Sequence, residues 1–379
     1  MVSLFTLLTF ALSVSGLAIK PEQKRSDNRV VKLDFNVDRK PPPLTLAKRD
    51  PPGAALNNSR DVRYLMDIYF GSNKQKVQVD IDTGSSDLWV HDQVYGQSWE
   101  GTFNYSESDS FSFINSTFHI YYNDGTQAIG QYGLDTVSLD SGLTLNNFEF
   151  AVVSNATNSW TPAIFGISRK VQEVSQKKYD NFPYALVNAG FIDKPSYSIY
   201  LGGDNGEKGL VLFGGIDKKK YKGELKTYPI DDNYYAAIEL KTMTYEGKTY
   251  TANRPALLDT GTSWNFLPEE VVFEIADALG APKCKNCDKQ ISCDQPTDKY
   301  FTFGFGDQNI TLSYADLVVI PFPDEPDYCL LGLDVAGEKS DLILGDVFLR
   351  KVYTYYDYEE NTISLAPVVD TEESEIVNA

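Results

Sequence analysis

The chain has 379 residues, 42% of them hydrophobic, and its 34 Lys+Arg against 53 Asp+Glu leave a net charge of −19. That is enough apolar material for a large core or two lobes, and so negative a surface argues against nucleic acid and anionic lipid as partners. With two histidines, His91 and His119, and no HExxH, zinc-protease chemistry and His-based triads have almost nothing to work with. No metal or other cofactor is expected.

The first stretch, residues 1–18, is apolar from Leu4 to Val14 and ends on Gly16 and Ala18. An apolar run that short cannot span a bilayer, and small residues at its end suit a signal peptide bound for secretion. Residues 19–49 hold nine basic and four acidic residues, the stiff Pro41-Pro42-Pro43 and the dibasic pair Lys48-Arg49. A basic leader on an acidic body reads as a propeptide held by charge, cut after Arg49 and released by acid. A solvated basic tail is the plainer alternative.

From Tyr64 onwards short β-type runs alternate with Gly, Asn, Asp and Pro, as in residues 77–81, 111–122, 148–153, 197–201 and 210–213. The best helix signal is Pro268-Glu269-Glu270 leading into Val272, Ile275, Ala276 and Leu279, closed by Gly280. Abundant Tyr (24) and Phe (21) agree with a mainly β architecture. Sequons begin at Asn57, Asn104, Asn115, Asn155 and Asn309. The polar stretch 371–379 has no hydrophobic tail, so a GPI anchor is not expected, nor is any other membrane anchor. The four cysteines are Cys284, Cys287, Cys293 and Cys329. Cys284-x-x-Cys287 has ligand-like spacing for zinc, but an oxidising compartment favours two disulfides, with three connectivities open.

One internal repeat organises the body. Val79-Asp80-Ile81-Asp82-Thr83-Gly84-Ser85-Ser86 recurs as Ala256-Leu257-Leu258-Asp259-Thr260-Gly261-Thr262-Ser263, and each copy has a later apolar pair closed by glycine, Ala163 to Gly166 and Leu342 to Gly345. Two similar β lobes follow, 50–225 and 226–379, facing each other across a cleft. A lone Asp-Thr-Gly is an ordinary turn; two copies, each after an apolar strand, place paired carboxylates in partly buried turns. Glycine lets backbone amides approach each carboxylate, and Thr83 and Thr260 offer hydroxyls that can lock the turns together. Carboxylates a few ångströms apart cannot both ionise, so Asp82 and Asp259 share one proton. The ionised one activates a water and the protonated one bonds a substrate carbonyl, which is amide hydrolysis without a metal.

On these motifs, with Trp89 seven residues after Asp82 and Leu342-Ile343-Leu344-Gly345-Asp346 near the end, residues 64–369 resemble the pepsin-like aspartic endopeptidases, and among them the secreted yeast enzymes of candidapepsin type. That family is itself the standing example of a shared-proton dyad. The resemblance implies a bilobed pepsin-like fold, catalysis by Asp82 and Asp259, and outward bonds from Ser85 and Thr262. It implies a flap over 120–126, with Tyr122 as flap tyrosine bonded to Trp89, and substrate contacts from Tyr122, Asn123, Asp124, Gly84, Gly261 and Thr262. Asp124 implies acceptance of Lys or Arg beside the scissile bond; a solvent-facing turn aspartate is its plain alternative. It further implies extended peptide or protein substrates, the leader as inhibitor, binding of pepstatin-like inhibitors and a monomeric zymogen.

Three features depart from the family pattern. Asn123 stands where a flap glycine is usual, and asparagine tolerates positive φ better than most residues. The first lobe has no cysteine, so the loop after Trp89 must be held by packing. Cys284 and Cys287 are additional to the pair matched by Cys293 and Cys329, and form a small ring or stay as thiols. Two other classes would fit part of the pattern: an inactive peptide-binding homologue, and a secreted β-rich glycoside hydrolase with two carboxylates.

Overall fold

The computed structural model describes residues 29–38, 63–93, 101–123, 125–157, 162–202, 208–231, 234–284, 287, 289–322, 324–338 and 340–379. The first half includes strands β1 (Val31–Asp38), β2 (Arg63–Phe70), β3 (Gln75–Asp82), β4 (Leu88–His91), β5 (Ser112–Tyr121), β6 (Gln127–Ser138), β7 (Thr144–Ala156), β8 (Ala163–Gly166), β9 (Ser196–Tyr200) and β10 (Lys208–Phe213). Helix α1 (Phe182–Asn188) lies between β8 and β9. Helix α2 (Glu269–Ala278) begins after Pro268, carries Glu269 and Glu270 in its first turn and buries Val271, Val272, Ile275 and Ala276. Gly280, just past its end, takes φ +75, so the proline, acids, apolar spacing and glycine act as their chemistry dictates. No helix among the described residues is long and apolar enough to cross a membrane.

The sequence repeat becomes a structural one. In the first half β3 runs parallel to β8, with Asp82 level with Gly166, and β4 runs antiparallel to β8. In the second, Lys248–Leu258 runs parallel to Leu342–Leu344, which is antiparallel to Asn265–Leu267. Each Asp-Thr-Gly therefore leaves its strand beside the apolar pair and glycine of its own half. A 13-stranded sheet joins the halves. Strands Lys226–Pro229, Thr362–Pro367 and Val352–Asp357 from the second half continue through β9 and β10 into β1 and then β2. The end of the chain thus returns to sheet built by the first half, a long-range pairing that a division at residue 225 does not express.

β1 falls inside the basic leader, yet it is woven into this sheet. It pairs with β10 over six residues and with β2 over three. Its period-2 alternation buries Val31, Leu33 and Phe35 and exposes Lys32, Asp34 and Asn36. Phe35 meets Tyr64 edge-on at 5.5 Å, and a Cβ on Gly209 would lie 2.2 Å from its ring. Charge is a minor part of this attachment; at this strand's edge the Arg29–Asp193 pair is largely exposed. In the uncut chain Phe35→Ala should lower unfolding stability by about 3–5 kcal/mol, read from urea denaturation. An unchanged midpoint and slope would show that β1 is not part of the cooperative unit.

Candidate active site

The two Asp-Thr-Gly turns meet head to head. Thr83 N–H donates to Thr260 Oγ1 at 3.1 Å, and Thr260 N–H to Thr83 Oγ1 at 3.0 Å. Each hydroxyl then donates across the interface to a strand carbonyl, Thr83 to Leu258 and Thr260 to Ile81, both at 2.7 Å. Both threonines are buried, so these four bonds form where water does not compete.

The lock presents Asp82 and Asp259 to each other, buried and within hydrogen-bond reach. Asp82 Oδ1 accepts from Gly84 N–H at 2.7 Å and Oδ2 from the Ser85 hydroxyl; Asp259 Oδ1 accepts from Gly261 N–H at 2.9 Å and Oδ2 from the Thr262 hydroxyl at 2.6 Å. The glycines are a steric requirement. A Cβ on Gly84 would lie 2.5 Å from Asp259 Oδ1, and one on Gly261 2.7 Å from Asp82 Oδ1. Burial first, and the Asp82 charge second, push the Asp259 carboxyl well above the usual range. Two carboxyls buried this close resist ionising together.

Tyr122 follows β5 at the tip of the β5–β6 hairpin, and Trp89 Nε1 donates to its hydroxyl at 2.7 Å. The tip is a four-residue turn in which Gly125 N–H donates to Tyr122 O. Among the described residues of this turn Gly125 takes a positive φ (+84) and exposed Asn123 does not, so asparagine is tolerated without needing the left-handed region. Beyond the loop that follows Trp89, Phe103 ties the chain back to β4. Its N–H donates to His91 O, and its buried ring packs on Phe70, Phe111 and Phe150. Cys293 is bonded to Cys329 and Cys284 to Cys287. Asn115, Asn155 and Asn309 are exposed, whereas half-buried Asn104 accepts from Ser106 and caps a short helical turn. The signal peptide, most of the leader, Lys48, Arg49, Asn57 and Asp124 lie outside the described residues.

Sequence reasoning missed three features. Gln172 reaches from 88 residues away to donate to Gly84 O at 2.8 Å, while the Ser168 hydroxyl donates to its Oε1. Nothing local signals that contact. Buried Asp87 accepts from the hydroxyls of Tyr132 and Tyr179 and from Val174 N–H, beside buried Glu173. Asp80, one residue pair upstream of Asp82, accepts from Tyr64 N–H at 2.8 Å; an acid in an apolar strand was its visible signal.

Burial raises all of these carboxyls: Asp80 to about 7, Glu173 to about 8, with the Asp87 charge contributing, and Asp87 itself upwards. Each folded-state pKa lies above the unfolded value, so the folded protein binds protons more tightly. Its stabilisation is complete below about pH 4 and lost as pH climbs towards about 8. Calorimetry should show Tm falling across that window, and Asp87→Asn with Glu173→Gln should flatten the fall. A Tm that is level or rising from pH 4 to 8 would contradict this electrostatic account.

With the geometry described, comparison with known proteins is direct. The sequence model for eukaryotic aspartyl proteases matches residues 63–368. Candidapepsin of Candida tropicalis is 34% identical over 393 aligned positions, covering 99% of this chain and 97% of the relative. Secreted aspartic protease 8 of Candida albicans is 34% identical, covering 97% and 96%. Candidapepsin-2 of Candida parapsilosis is also 34% identical, covering 94% and 89%. The chain belongs to the eukaryotic aspartyl protease family and is an aspartic-type endopeptidase.

Proposed function

We propose that Asp82 and Asp259 are the catalytic pair and that cleavage proceeds in acid on extended peptide laid across the cleft. The observation that carries this is the symmetry of the two turns: each carboxylate takes a glycine N–H and a hydroxyl in the same geometry. The ionised member takes a proton from a water held between the carboxyls. That water attacks the scissile carbonyl, whose oxygen accepts a hydrogen bond from the protonated member; the tetrahedral intermediate then breaks as the amine is protonated. Hydroxyl and amide donors stabilise the ionised form, and burial keeps the second proton on, so the same site serves as acid and base. Tyr122, held by Trp89, closes above the bond and excludes water. Mimics of the tetrahedral intermediate, pepstatin among them, bind this arrangement.

Residues 1–18 act as a signal peptide and residues 19–49 as an inhibitory leader removed after Arg49, giving a secreted, monomeric enzyme. Likeness to the secreted aspartic protease 8 of Candida albicans supports secretion. The pairing of β1 with β10 and β2 supports a leader that leaves by strand withdrawal, since a cut after Arg49 would leave both ladders intact.

Asp82→Asn and Asp259→Asn should each lower cleavage of an unfolded protein substrate at about pH 4 by a factor of about 1,000 or more, with Tm and circular dichroism preserved. A folded Asn variant cleaving at the wild-type rate would overturn the assignment.

A further inference from the structure

The Asp82 turn is gripped from a second side, by the loop that follows β8. Ser168 N–H donates to Ser85 O at 2.9 Å, just as Asp346 N–H donates to Thr262 O at 2.9 Å in the second half. To this shared plan the first half adds a side chain. Gln172 donates from Nε2 to Gly84 O at 2.8 Å; among the described residues no side chain does the same for Gly261 O. Gly84 O belongs to the peptide unit that joins the two groups holding Asp82, the Gly84 N–H on Oδ1 and the Ser85 hydroxyl on Oδ2. A peptide unit is planar and stiff, so fixing its oxygen fixes how Ser85 stands to Asp82.

The surroundings of Gln172 orient it for this contact. It is buried, and the Ser168 hydroxyl donates to its Oε1 at 2.6 Å. A hydroxyl donor on the amide oxygen leaves the NH2 group to face Gly84 O. Its backbone is pinned as well: Gln172 N–H donates to Arg169 O at 2.8 Å, and Gln172 O accepts from the Tyr234 hydroxyl at 3.3 Å. Arg169 Nη1 donates to Tyr235 O at 3.2 Å. Both tyrosines belong to the second half. The turn at 169–172 therefore ties the surroundings of Asp82 to the other half by a route separate from Thr83 and Thr260.

We propose that Gln172 is a positioning residue for the reaction: its amide N–H on Gly84 O holds the Gly84–Ser85 peptide unit so that the glycine N–H and the serine hydroxyl stay aimed at Asp82. Those two donors favour an ionised Asp82 carboxylate, and both lose their aim if the unit turns. This rests on Asp82 and Asp259 being the catalytic pair. Gln172 itself does not titrate. The ionisable groups on the elements around it are Arg169, Lys170 and Glu173 on its own loop, Asp82 and Asp87 flanking the turn it grips, and Tyr234 across the interface. Glutamic acid is the informative substitute. Protonated, it keeps the shape of glutamine, accepts from Ser168 and donates to Gly84 O; ionised, it has no donor and turns a charge on that carbonyl.

The test compares kcat of the mature wild type, Gln172→Leu, Gln172→Glu and Asp82→Asn on a single peptide at about pH 3.5 and about pH 6.5, either side of an ordinary glutamate pKa, with folding checked by circular dichroism. Gln172→Leu should lose about tenfold in kcat relative to wild type at both pH values. Gln172→Glu should stay within about twofold of wild type at the lower pH and fall about tenfold behind at the higher, as its carboxyl ionises. A residue that only fills space would not give this acid-dependent rescue. Wild-type kcat in Gln172→Leu would overturn the proposal. So would a Gln172→Glu enzyme that keeps pace with wild type at both pH values, or one as slow as Gln172→Leu in acid. With Asp82→Asn inactive in the same assay, these results would leave the catalytic pair standing; a folded Asp82→Asn enzyme as fast as wild type would overturn both.

Discussion

Everything at the centre of this molecule depends on four hydrogen bonds made by two threonines. Thr83 and Thr260 exchange backbone N–H donors and hydroxyl acceptors, and their hydroxyls donate hydrogen bonds to the Leu258 and Ile81 carbonyls of the opposite halves. Because the partners lie 175–179 residues apart, no local preference can bring them together. They form only when both halves have folded and the shared sheet has aligned them. In that sense the lock reports correct assembly, and the carboxylates it presents cannot face each other without it.

The lock also explains a tolerance and an intolerance. Two buried acids in contact would normally repel, and burial alone would hold both protonated. Fixed glycine amides and the Ser85 and Thr262 hydroxyls favour an ionised carboxylate, while burial and the Asp82 charge hold the proton on Asp259. That balance requires the turns to approach so closely that a single methyl at Gly84 or Gly261 would strike the opposing carboxylate. The tip of the β5–β6 hairpin carries the Trp89–Tyr122 bond and a short turn.

The site was largely legible in the sequence because its information is local and duplicated: eight residues, written twice, define the strand, the turn, the acid and the hydroxyls. Trp89 and Tyr122 were readable through family likeness and meet as expected. The rest is harder to read for physical reasons. The leader's basic composition masks the alternation of Val31, Leu33 and Phe35, which makes β1 a buried strand. Gln172 and the Asp87 cluster act across 45 to 92 residues, and their chemistry depends on what burial brings beside them. The return of strands Val352–Asp357 and Thr362–Pro367 to the first half's sheet is likewise a pairing without a local signature.

The central claim is that two carboxyls, sharing one proton across the threonine lock, do the chemistry. It is tested most directly by following cleavage of an unfolded protein by the mature enzyme at about pH 4 and about pH 7, with and without pepstatin. The account predicts cleavage at the acid pH that pepstatin abolishes, and slower cleavage at neutral pH, close to the value of about 8 to which burial and the Asp82 charge push the Asp259 carboxyl. Cleavage that pepstatin does not touch, or that runs equally fast at both pH values, would contradict it.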